Sequence, residues 1–313
     1  MDMSMSRSTS ETKAAPAVKN GWMLNKRYIA GYVMIAPFIL LFILFYIIPI
    51  VWSLFLSLNN YDLFQPMRFV GVSNYINLLT NDDLFITAIK NTFTYAVVAG
   101  PIGFVFSFLF AWIISQLKFK NVFSLAFYAP SIVSVFATTY IWAVLFSSDR
   151  NGTINSILLD MRVINDPVYW TSDPSRIMPM TIFISVWMSL GAGFLTNLAG
   201  FSSVNSEIYE AARIDGIKNR FQELFYVTIP QMKPQLLFNA IISTVGALAV
   251  ADVITGMVGY PTPDNSAHTI AMHMYDYAFQ RFEMGYAAAI SFILFLITFF
   301  FGRIFMKILS EKD

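Results

Sequence analysis

The sequence predicts an all-α membrane protein with six transmembrane helices, and three observations carry that prediction. Of the 313 residues, 57% are hydrophobic and only 12% are charged, whereas a soluble domain is about half apolar and about a quarter charged. The apolar residues fall in blocks long enough to cross a bilayer, which takes about 20 helical residues each. Lysine and arginine concentrate in alternate loops between these blocks, as expected of an oriented membrane protein.

The composition also excludes several classes of function. The net charge is +1, so no overall field favours nucleic acid as a partner. The chain has no cysteine, which excludes disulfides and thiolate metal sites. His268 and His273 are five residues apart, a spacing that misses the i, i+4 pair of a helical metal site, and we expect no metal.

The two ends of the chain are predicted to be short cytoplasmic tails, at residues 1–27 and 310–313. The first tail is polar and rich in Ser, Thr, Ala and Lys, which favours flexibility. A signal peptide is the alternative. It is disfavoured because the apolar run follows AAPA rather than preceding it and is too long for an h-region. We therefore expect an uncleaved first span and one transmembrane domain over residues 28–309.

Six apolar segments are long enough to span a membrane. In order they are residues 28–58, 90–117, 122–146, 177–201, 235–257 and 284–309. The first segment is longer than a bilayer requires, so it is expected to tilt or to extend beyond the lipid. Prolines occur within or at the ends of several segments, namely Pro37, Pro49, Pro101, Pro130 and Pro179. Membrane helices tolerate such prolines when neighbouring groups satisfy the freed carbonyls.

The distribution of basic residues predicts the orientation. One side of the membrane receives 14 lysines and arginines and the other receives six. This bias places both termini and the segment between spans four and five in the cytoplasm. The loops near 59–89, 147–176 and 258–283 then face outward.

The segment between spans four and five, residues 205–234, contains the densest charge in the chain. SEIYEAARI is typical of a short helix that Asn205 or Ser206 caps. Asp215-Gly216 predicts a turn, because glycine accepts the left-handed geometry that ends a helix. KNRFQELFYVTI is expected to form a second helix before Pro230. The pattern predicts a helical hairpin at the membrane face, shaped to enter a groove on a partner.

At this point a family resemblance becomes specific. YEAARIDGIKNRFQELFYVTIPQMKP resembles the EAA loop of permease subunits in ATP-binding-cassette (ABC) importers, whose pattern is EAA, then a glycine, then Ile or Leu before Pro. The matching residues are Glu210, Ala211, Ala212, Gly216, Ile229 and Pro230. The Asp215-Gly216 pair is similar to the carbohydrate-uptake branch of that family.

Further segments resemble the same branch, and together they extend the resemblance over nearly all residues after about 28. They are FVGVSNYINLL with IKNTFTYAVV, PSIVSVFATTYIWAVLF with NGTIN, and NSAHTIAMHMYDYAFQRFEMGYAAAISFILF. One departure is GMVGYPTPDN at 256–265, where the branch often carries Gly-Gly-Pro. That departure concerns the shape of this outer loop rather than the family.

The resemblance implies a type I ABC importer transmembrane domain in the bacterial inner membrane. It implies that the EAA hairpin docks in a cleft of a cytoplasmic ATPase and converts ATP-driven closure into rocking of the helices. The implied partners are a second homologous permease, two ATPase copies and an external solute-binding protein. The implied cargo is a sugar or oligosaccharide. ATP and Mg would be bound by the ATPase subunits, because this chain contains no GxxxxGK[ST] loop and no catalytic motif.

Candidate cargo residues lie in span four, since transport sites are formed near mid-membrane from polar groups and aromatic faces. Ser185, Ser189 and Ala192 recur at i, i+4 and i+7 on one small, partly polar face. Close helix packing is the competing interpretation of that face. Counting from Glu210, the resemblance to the maltose permease points to Ser185, Trp187, Met188, Ser189 and Ala192.

Span five adds Ser243, Thr244 and Asp252 to the candidates. Asp252 is the clear acid inside an apolar run, and an intramembrane carboxylate indicates function. The alternative is a helix-end acid near the outer interface, if the span ends by Met257.

Two other functional classes fit the sequence less well. An ion-driven secondary transporter usually needs intramembrane carboxylates and internal repeats, whereas this chain offers a single Asp and no evident inverted repeat. A membrane enzyme such as a glycosyltransferase lacks support, since no acidic metal cluster lies in the loops. Nothing in the sequence names the particular cargo.

Overall fold

A computed structural model describes residues 26–310, and these are mostly helical. The tails predicted at 1–27 and 310–313 lie outside the described residues except for Lys26, Arg27 and Ser310, which are helical. Within the described residues the helices are α1 (Lys26–Phe42), α2 (Ile48–Ser57), α3 (Ser73–Thr80), α4 (Asp83–Ser115), α5 (Lys120–Ile132), α6 (Val135–Leu145), α7 (Thr153–Asp160), α8 (Pro174–Met188), α9 (Ala192–Ser203), α10 (Ser206–Ile214), α11 (Arg220–Glu223), α12 (Ile229–Gln231), α13 (Lys233–Leu248), α14 (Asp252–Val258), α15 (Ile270–Tyr275) and α16 (Met284–Ser310).

Shorter elements complete the chain. π-helical turns occupy Ile43–Ile47, Leu224–Thr228 and Asp276–Gln280, and Pro263–Asn265 is a 3₁₀ turn. Strands β1 (Asn59–Asn60) and β2 (Arg68–Phe69) pair antiparallel, with Asn59 opposite Phe69. Two of the π turns precede a proline by one or two residues. They arise because proline has no N–H to donate to the carbonyl four residues earlier, and a wider turn re-pairs the neighbouring groups.

Four helical stretches are long and apolar enough to cross a membrane, and a fifth is added if one bent pair is counted as a single span. The four are Gly31–Ser57, Asp83–Ser115, Pro174–Ser203 and Met284–Lys307, and the bent pair is Lys233–Leu248 with Asp252–Val258, at 47°. The predicted span 122–146 is divided between α5 and α6 at Val133–Ser134, so neither half has the length of a span. Six spans therefore stay a prediction.

Contacts divide the chain into two compact units, with the boundary after Val51. The described part of the first unit is one helical stretch, made of α1, a π turn and the start of α2. In the second unit α4 is the central helix, since it packs against α8, α9 and α13. The main buried core of this unit includes Phe85, Ile177 and Ile290.

The length of α4 separates two ends of the second unit. Its 33 residues extend about 50 Å at 1.5 Å per residue. Its N-terminal end, around Asp82 and Asn91, bonds the loop that precedes α16. Its C-terminal end, around Phe108 and Trp112, packs against the segment that joins α9 to α13. One helix thus contacts the loops at both ends of the unit.

Candidate functional site

The segment between α9 and α13 begins with helix α10, and both of its ends follow the sequence prediction. The Asn205 side chain caps the start by accepting a hydrogen bond from the Glu207 N–H at 3.1 Å. At the other end Gly216 has φ +98°, a left-handed value that strains any other residue. The Gly216 N–H bonds the Arg213 carbonyl, and the Ile217 N–H bonds the Ala212 carbonyl at 3.0 Å. This pair of bonds is a Schellman motif, which ends α10 sharply.

The second half of this segment, from α11 to α12, packs against both α10 and α4. Tyr209 and Thr228 share a hydrogen bond at 3.1 Å between the two halves. Glu223 lies 3.5 Å from Arg220 and 3.8 Å from Arg213, so a single carboxylate faces both guanidinium groups. These charges are partly exposed, and such pairs contribute little stability on their own.

Apolar contacts attach the segment to α4. Leu224 and Met232 are buried against Phe108 of α4, and the Phe221 ring lies 5.2 Å from the Trp112 ring. The attachment of this segment to α4 is therefore made by buried apolar packing.

The five residues predicted to couple to a partner differ in exposure. Glu210, Ala211, Asp215 and Gly216 are exposed, whereas Ala212 is buried. The Ile214 side chain, next to the turn, is 87% exposed. Glu210 also lines a cavity of about 410 Å³ with Lys120, Arg213 and Arg220, among other residues.

The three predicted serines lie in contacts between helices. The Tyr95 hydroxyl of α4 donates to Ser185 Oγ. The Ser189 hydroxyl donates to the Gly103 carbonyl at 3.1 Å, and the Ser243 hydroxyl donates to the Gly100 carbonyl at 3.1 Å. A Cβ at Gly103 would lie 3.2 Å from Ser189 Cβ, so the two backbones approach closely there. This geometry agrees with the packing interpretation of the face.

The other candidates in span four have three different environments; they are Trp187, Met188 and Ala192. The Trp187 ring lies 5.3 Å from the Trp142 ring in an edge-on arrangement. Met188 packs against the buried cluster that contains Ile184. Ala192 was expected to continue the helix of the two serines, but a turn at 189–191 separates α8 from α9. Ala192 begins the second helix and is exposed, so the i, i+4, i+7 face is interrupted at its last position.

Asp252 lies at a break in the fifth apolar segment. Residues 249–251 separate α13 from α14, and the Thr269 hydroxyl donates to the Val250 carbonyl at 2.7 Å within this break. Asp252 is exposed in the first turn of α14 and lines a cavity of about 420 Å³. The acid is therefore at the start of a helix rather than inside a continuous span. Irregular backbone in a membrane protein is tolerated where it is buried in protein or borders a cavity.

The loop from Gly259 to Glu283, called the His273 loop below, contains a buried chain of hydrogen bonds. His268 Nε2 lies 3.0 Å from His273 Nδ1, and His273 Nε2 lies 3.0 Å from Asp82 Oδ2. Tyr286 donates to the same Asp82 oxygen at 3.0 Å. Because a carboxylate only accepts, His273 must donate from Nε2 and His268 must donate to His273. His268 Nδ1 is then a bare acceptor, and among the described residues it has no hydrogen-bond partner.

The titration of these groups follows from that arrangement. Burial, with a smaller contribution from the neighbouring His273, lowers the pKa of His268 to about 4. Burial also lowers the pKa of His273, although the charge of Asp82 opposes this. The pKa of Asp82 is lowered overall, because bonds from the Phe85 N–H, His273 and Tyr286 outweigh its burial. Both imidazoles are neutral at pH 7.

Among the described residues no group of three His, Cys, Asp or Glu side chains is arranged to hold a metal.

The loop from Phe146 to Asp173, called the Asn155 loop below, depends on one neutral side chain. Asn155 is fully buried. Its amide nitrogen donates to the carbonyls of Ser147, Asp149 and Val168 at 3.0–3.2 Å. Its oxygen accepts from the Val168 N–H at 3.1 Å and from Trp170 Nε1 at 2.9 Å. Every donor and acceptor of the amide is used.

Sequence reasoning missed the roles of Asp82 and Asn155. An aspartate before an apolar helix signals an N-cap, and Asp82 does accept from the Phe85 N–H at 2.9 Å. The same carboxylate reaches His273, 191 residues away, and no local pattern signals that contact. Asn155 ends the NGTIN segment, which the resemblance singled out without assigning a role.

Comparisons with known proteins agree with this architecture. A family model described as "Binding-protein-dependent transport system inner membrane component" matches residues 103–312. The chain is 32% identical to the probable ABC transporter permease protein YesP of Bacillus subtilis, over 91% of each chain. It is 31% identical to the lactose transport system permease protein LacF of Rhizobium radiobacter, over 87% of this chain and 92% of that protein.

The fold itself matches a solved structure. A chain of a bacterial ABC transporter involved in the import of the acidic polysaccharide alginate superposes with a TM-score of 0.77. That match covers 91% of this chain and 96% of the other, at 24% sequence identity. At this identity the likeness concerns the fold alone.

Proposed function

The chain belongs to the family of binding-protein-dependent transport system inner membrane components, and from that premise we propose that it imports sugars or oligosaccharides as one permease of an ATP-driven complex. It is a multi-pass membrane protein with the fold of ABC importer permeases. The proposed complex contains a second homologous permease, two cytoplasmic ATPase copies and an external solute-binding protein.

The observation that carries the proposal is the segment from α10 to α12, which has both an exposed surface and a buried attachment. Glu210, Ala211, Asp215 and Gly216 are available to a partner, while Leu224 and Met232 attach the segment to α4. α4 then continues for about 50 Å to the opposite end of the unit. This arrangement suits a lever that receives force from an ATPase and moves a transmembrane helix.

The cargo class rests on the relatives. LacF, at 31% identity, is named for lactose transport. In this proposal six spans enclose half of a translocation path, both termini are cytoplasmic, and ATP and Mg are bound by the ATPase partners. Ser185, Trp187, Met188, Ser189, Ala192, Ser243 and Asp252 remain the proposed path residues.

The experiment is an uptake and ATPase assay on the complete complex in proteoliposomes. Gly216→Pro removes the N–H that bonds Arg213 and forbids the left-handed φ, so it should abolish uptake and the stimulation of ATPase activity by the loaded binding protein. Glu210→Gln should reduce both by about tenfold through loss of a charge-assisted bond of about 1.5–3 kcal/mol. Glu207→Gln is the matched control on the same helix and should leave both unchanged.

Two outcomes would contradict the proposal. Normal transport by Gly216→Pro would contradict coupling through this segment. Uptake that an ion gradient drives without ATP would replace the proposal with an ion-driven secondary transporter.

A further inference from the structure

The cavity that contains Asp252 lies where α14, α15 and the start of α6 meet, and its lining combines ring faces with hydrogen-bonding groups. Phe136, Tyr260, Tyr275 and Phe279 supply rings, while Asp252, Thr255, Asp276 and Gln280 supply polar groups. Its volume of about 420 Å³ falls within the range of about 300–1,000 Å³ that is usual for small-molecule pockets. Mostly apolar walls with a few polar groups are typical of such pockets.

The two carboxylates of the cavity are not equivalent. Asp276 is buried and pairs with Arg281 Nε at 2.8 Å, and the Arg281 guanidinium lies 4.4 Å from the centre of the Tyr277 ring. Asp252 is exposed to the cavity, and within the part of the chain that the structure describes its carboxylate has no hydrogen-bond or ion-pair partner. The cavity therefore keeps one uncompensated negative charge.

The position of Asp252 supports a functional reason for that charge. It follows the break between α13 and α14, in a segment whose other residues are predominantly apolar. An unpaired carboxylate at such a place is costly in a membrane protein, and it indicates a group that binds something in transit. The rigid side of the cavity is secured independently, because the Thr269 hydroxyl bonds Val250 and the Ile270 N–H bonds Thr92 Oγ1 at 2.9 Å.

We propose that this cavity is a subsite for one neutral sugar unit of the cargo, with Asp252 accepting hydrogen bonds from sugar hydroxyls and the Tyr275–Phe279 pair contacting the sugar's C–H face. The two rings lie 5.6 Å apart at 29°, and both line the cavity. A uronate would place a second carboxylate beside Asp252, and like charges disfavour each other. The inference rests on the proposed function and narrows its cargo to uncharged glycans.

Because the chain contains no cysteine, a single introduced thiol can report whether a sugar occupies the cavity. A single Thr255→Cys variant, purified in the complete complex, places a thiol in the cavity for reaction with N-ethylmaleimide. Lactose and maltotriose, as neutral probes, should slow labelling, whereas alginate trisaccharide at the same concentration should not. Asn151→Cys is the matched control, since Asn151 is exposed and outside the cavity, and none of the probes should change its labelling.

A second substitution added to the Thr255→Cys variant tests which residues bind the neutral probes. Adding Asp252→Asn should raise the neutral-probe concentration needed for half-protection by about tenfold, or about 1.4 kcal/mol. Adding Tyr275→Ala should raise it comparably, because the ring face is lost. If Thr255→Cys fails to assemble, Gln280→Cys reports on the same cavity.

Four results would overturn the subsite. They are no protection by either neutral probe, equal protection by alginate trisaccharide, protection by sodium chloride but not choline chloride, and a thiol already unreactive in the sugar-free complex. The third would indicate a cation site and the fourth a cavity filled by the partner permease. ATPase activity measured on the same samples separates these failures from failure of the proposed function, which alone predicts stimulation by loaded binding protein.

Discussion

The Asn155 loop and the His273 loop lie at the same end of the second unit but are fixed by different chemistry. One neutral amide, fully used, holds the Asn155 loop through five hydrogen bonds to two stretches of chain, 147–149 and 168–170. A line of ionisable groups holds the His273 loop: His268, His273 and Asp82. The first arrangement does not depend on protonation, whereas the second contains a buried acceptor, His268 Nδ1, that no group in residues 26–310 satisfies.

The difference follows from what each loop borders. The Asn155 loop closes on itself, and Trp170 packs on Phe146 at 5.6 Å. The His273 loop is attached to α4 on one side through His273, and on the other side Met272, Tyr275 and Asp276 line the Asp252 cavity. A loop that only needs to be rigid is served by a saturated amide. The His273 loop, which forms one wall of a proposed path, combines neutral bonds to Asn91 and Thr92 with bonds to the Asp82 carboxylate, so part of its docking depends on charge.

The largest expected effect comes from removing the amide of the Asn155 loop. Asn155→Ala leaves several buried backbone groups and Trp170 Nε1 without partners, and each unsatisfied group costs about 1–3 kcal/mol. We expect a loss of at least about 3 kcal/mol in local stability. Hydrogen exchange of peptides from 147–173 in the purified complex measures it, with peptides of the His273 loop as the internal reference.

Asn155→Asp sharpens the same test. It keeps the shape and the acceptor oxygen but directs a carboxylate at three carbonyls. It should therefore destabilise the loop about as much as alanine, by a similar ~3 kcal/mol. Retained protection in both variants would show that the amide does not hold the loop.

A smaller effect is expected from neutralising Asp82. Asp82→Asn keeps the N-cap of α4 but loses the charge that accepts from His273 and Tyr286, and hydrogen bonds to charged groups contribute about 1.5–3 kcal/mol. Faster exchange should appear in peptides of 259–283 and not in those of 147–173. Asp83→Asn is the control, since Asp83 is adjacent and exposed. If Asp83→Asn accelerated exchange in 259–283 as much as Asp82→Asn does, the hydrogen bonds to the Asp82 carboxylate would not be what holds this loop.

The sequence predicted local features of this architecture well and long-range ones poorly. The Asn205 cap, the Gly216 turn and most helical stretches were predictable, because each depends on residues close in sequence. The breaks at 133–134, 189–191 and 249–251 were not predicted, since apolar composition continues across all three. Those breaks depend on tertiary contacts, as when Thr269 satisfies the Val250 carbonyl.

In the candidate site, too, local features were predictable from the sequence and long-range contacts were not. Asp252 was identified as an unusual acid from composition alone, but its cavity is formed by Tyr275 and other residues that only the fold brings near. The two histidines were dismissed as a metal pair on spacing. Their contact with each other and with Asp82 requires that α15 dock on the start of α4, which no pattern in either segment predicts.

The smallest expected effect is produced by acid, and it distinguishes the loops without any substitution. The pKa of His268 is about 4 in the folded chain, against about 6.5 when unfolded. The unfolded chain therefore binds more protons between these values, and stability falls as the pH is lowered through them. The contribution is fully present above about pH 6.5, and at about pH 5.5 roughly 1 kcal/mol is lost.

Protonation is unfavourable because it places an N–H on His268 Nδ1, where no acceptor lies among the described residues. The titratable groups that act on this imidazole or adjoin it are His273, Asp276, Asp82, Arg281 and Tyr260. Asp276 and Arg281 form an ion pair at 2.8 Å. Hydrogen exchange at about pH 7 and about pH 5.5, corrected for intrinsic rates, should show loosening of 259–283 alone. His268→Phe, which retains a buried ring and cannot be protonated, should reduce that difference. A change of equal size in the Asn155 loop would show that acid loosens the whole unit. The difference between a neutral and an ionisable attachment would then not explain the pH dependence.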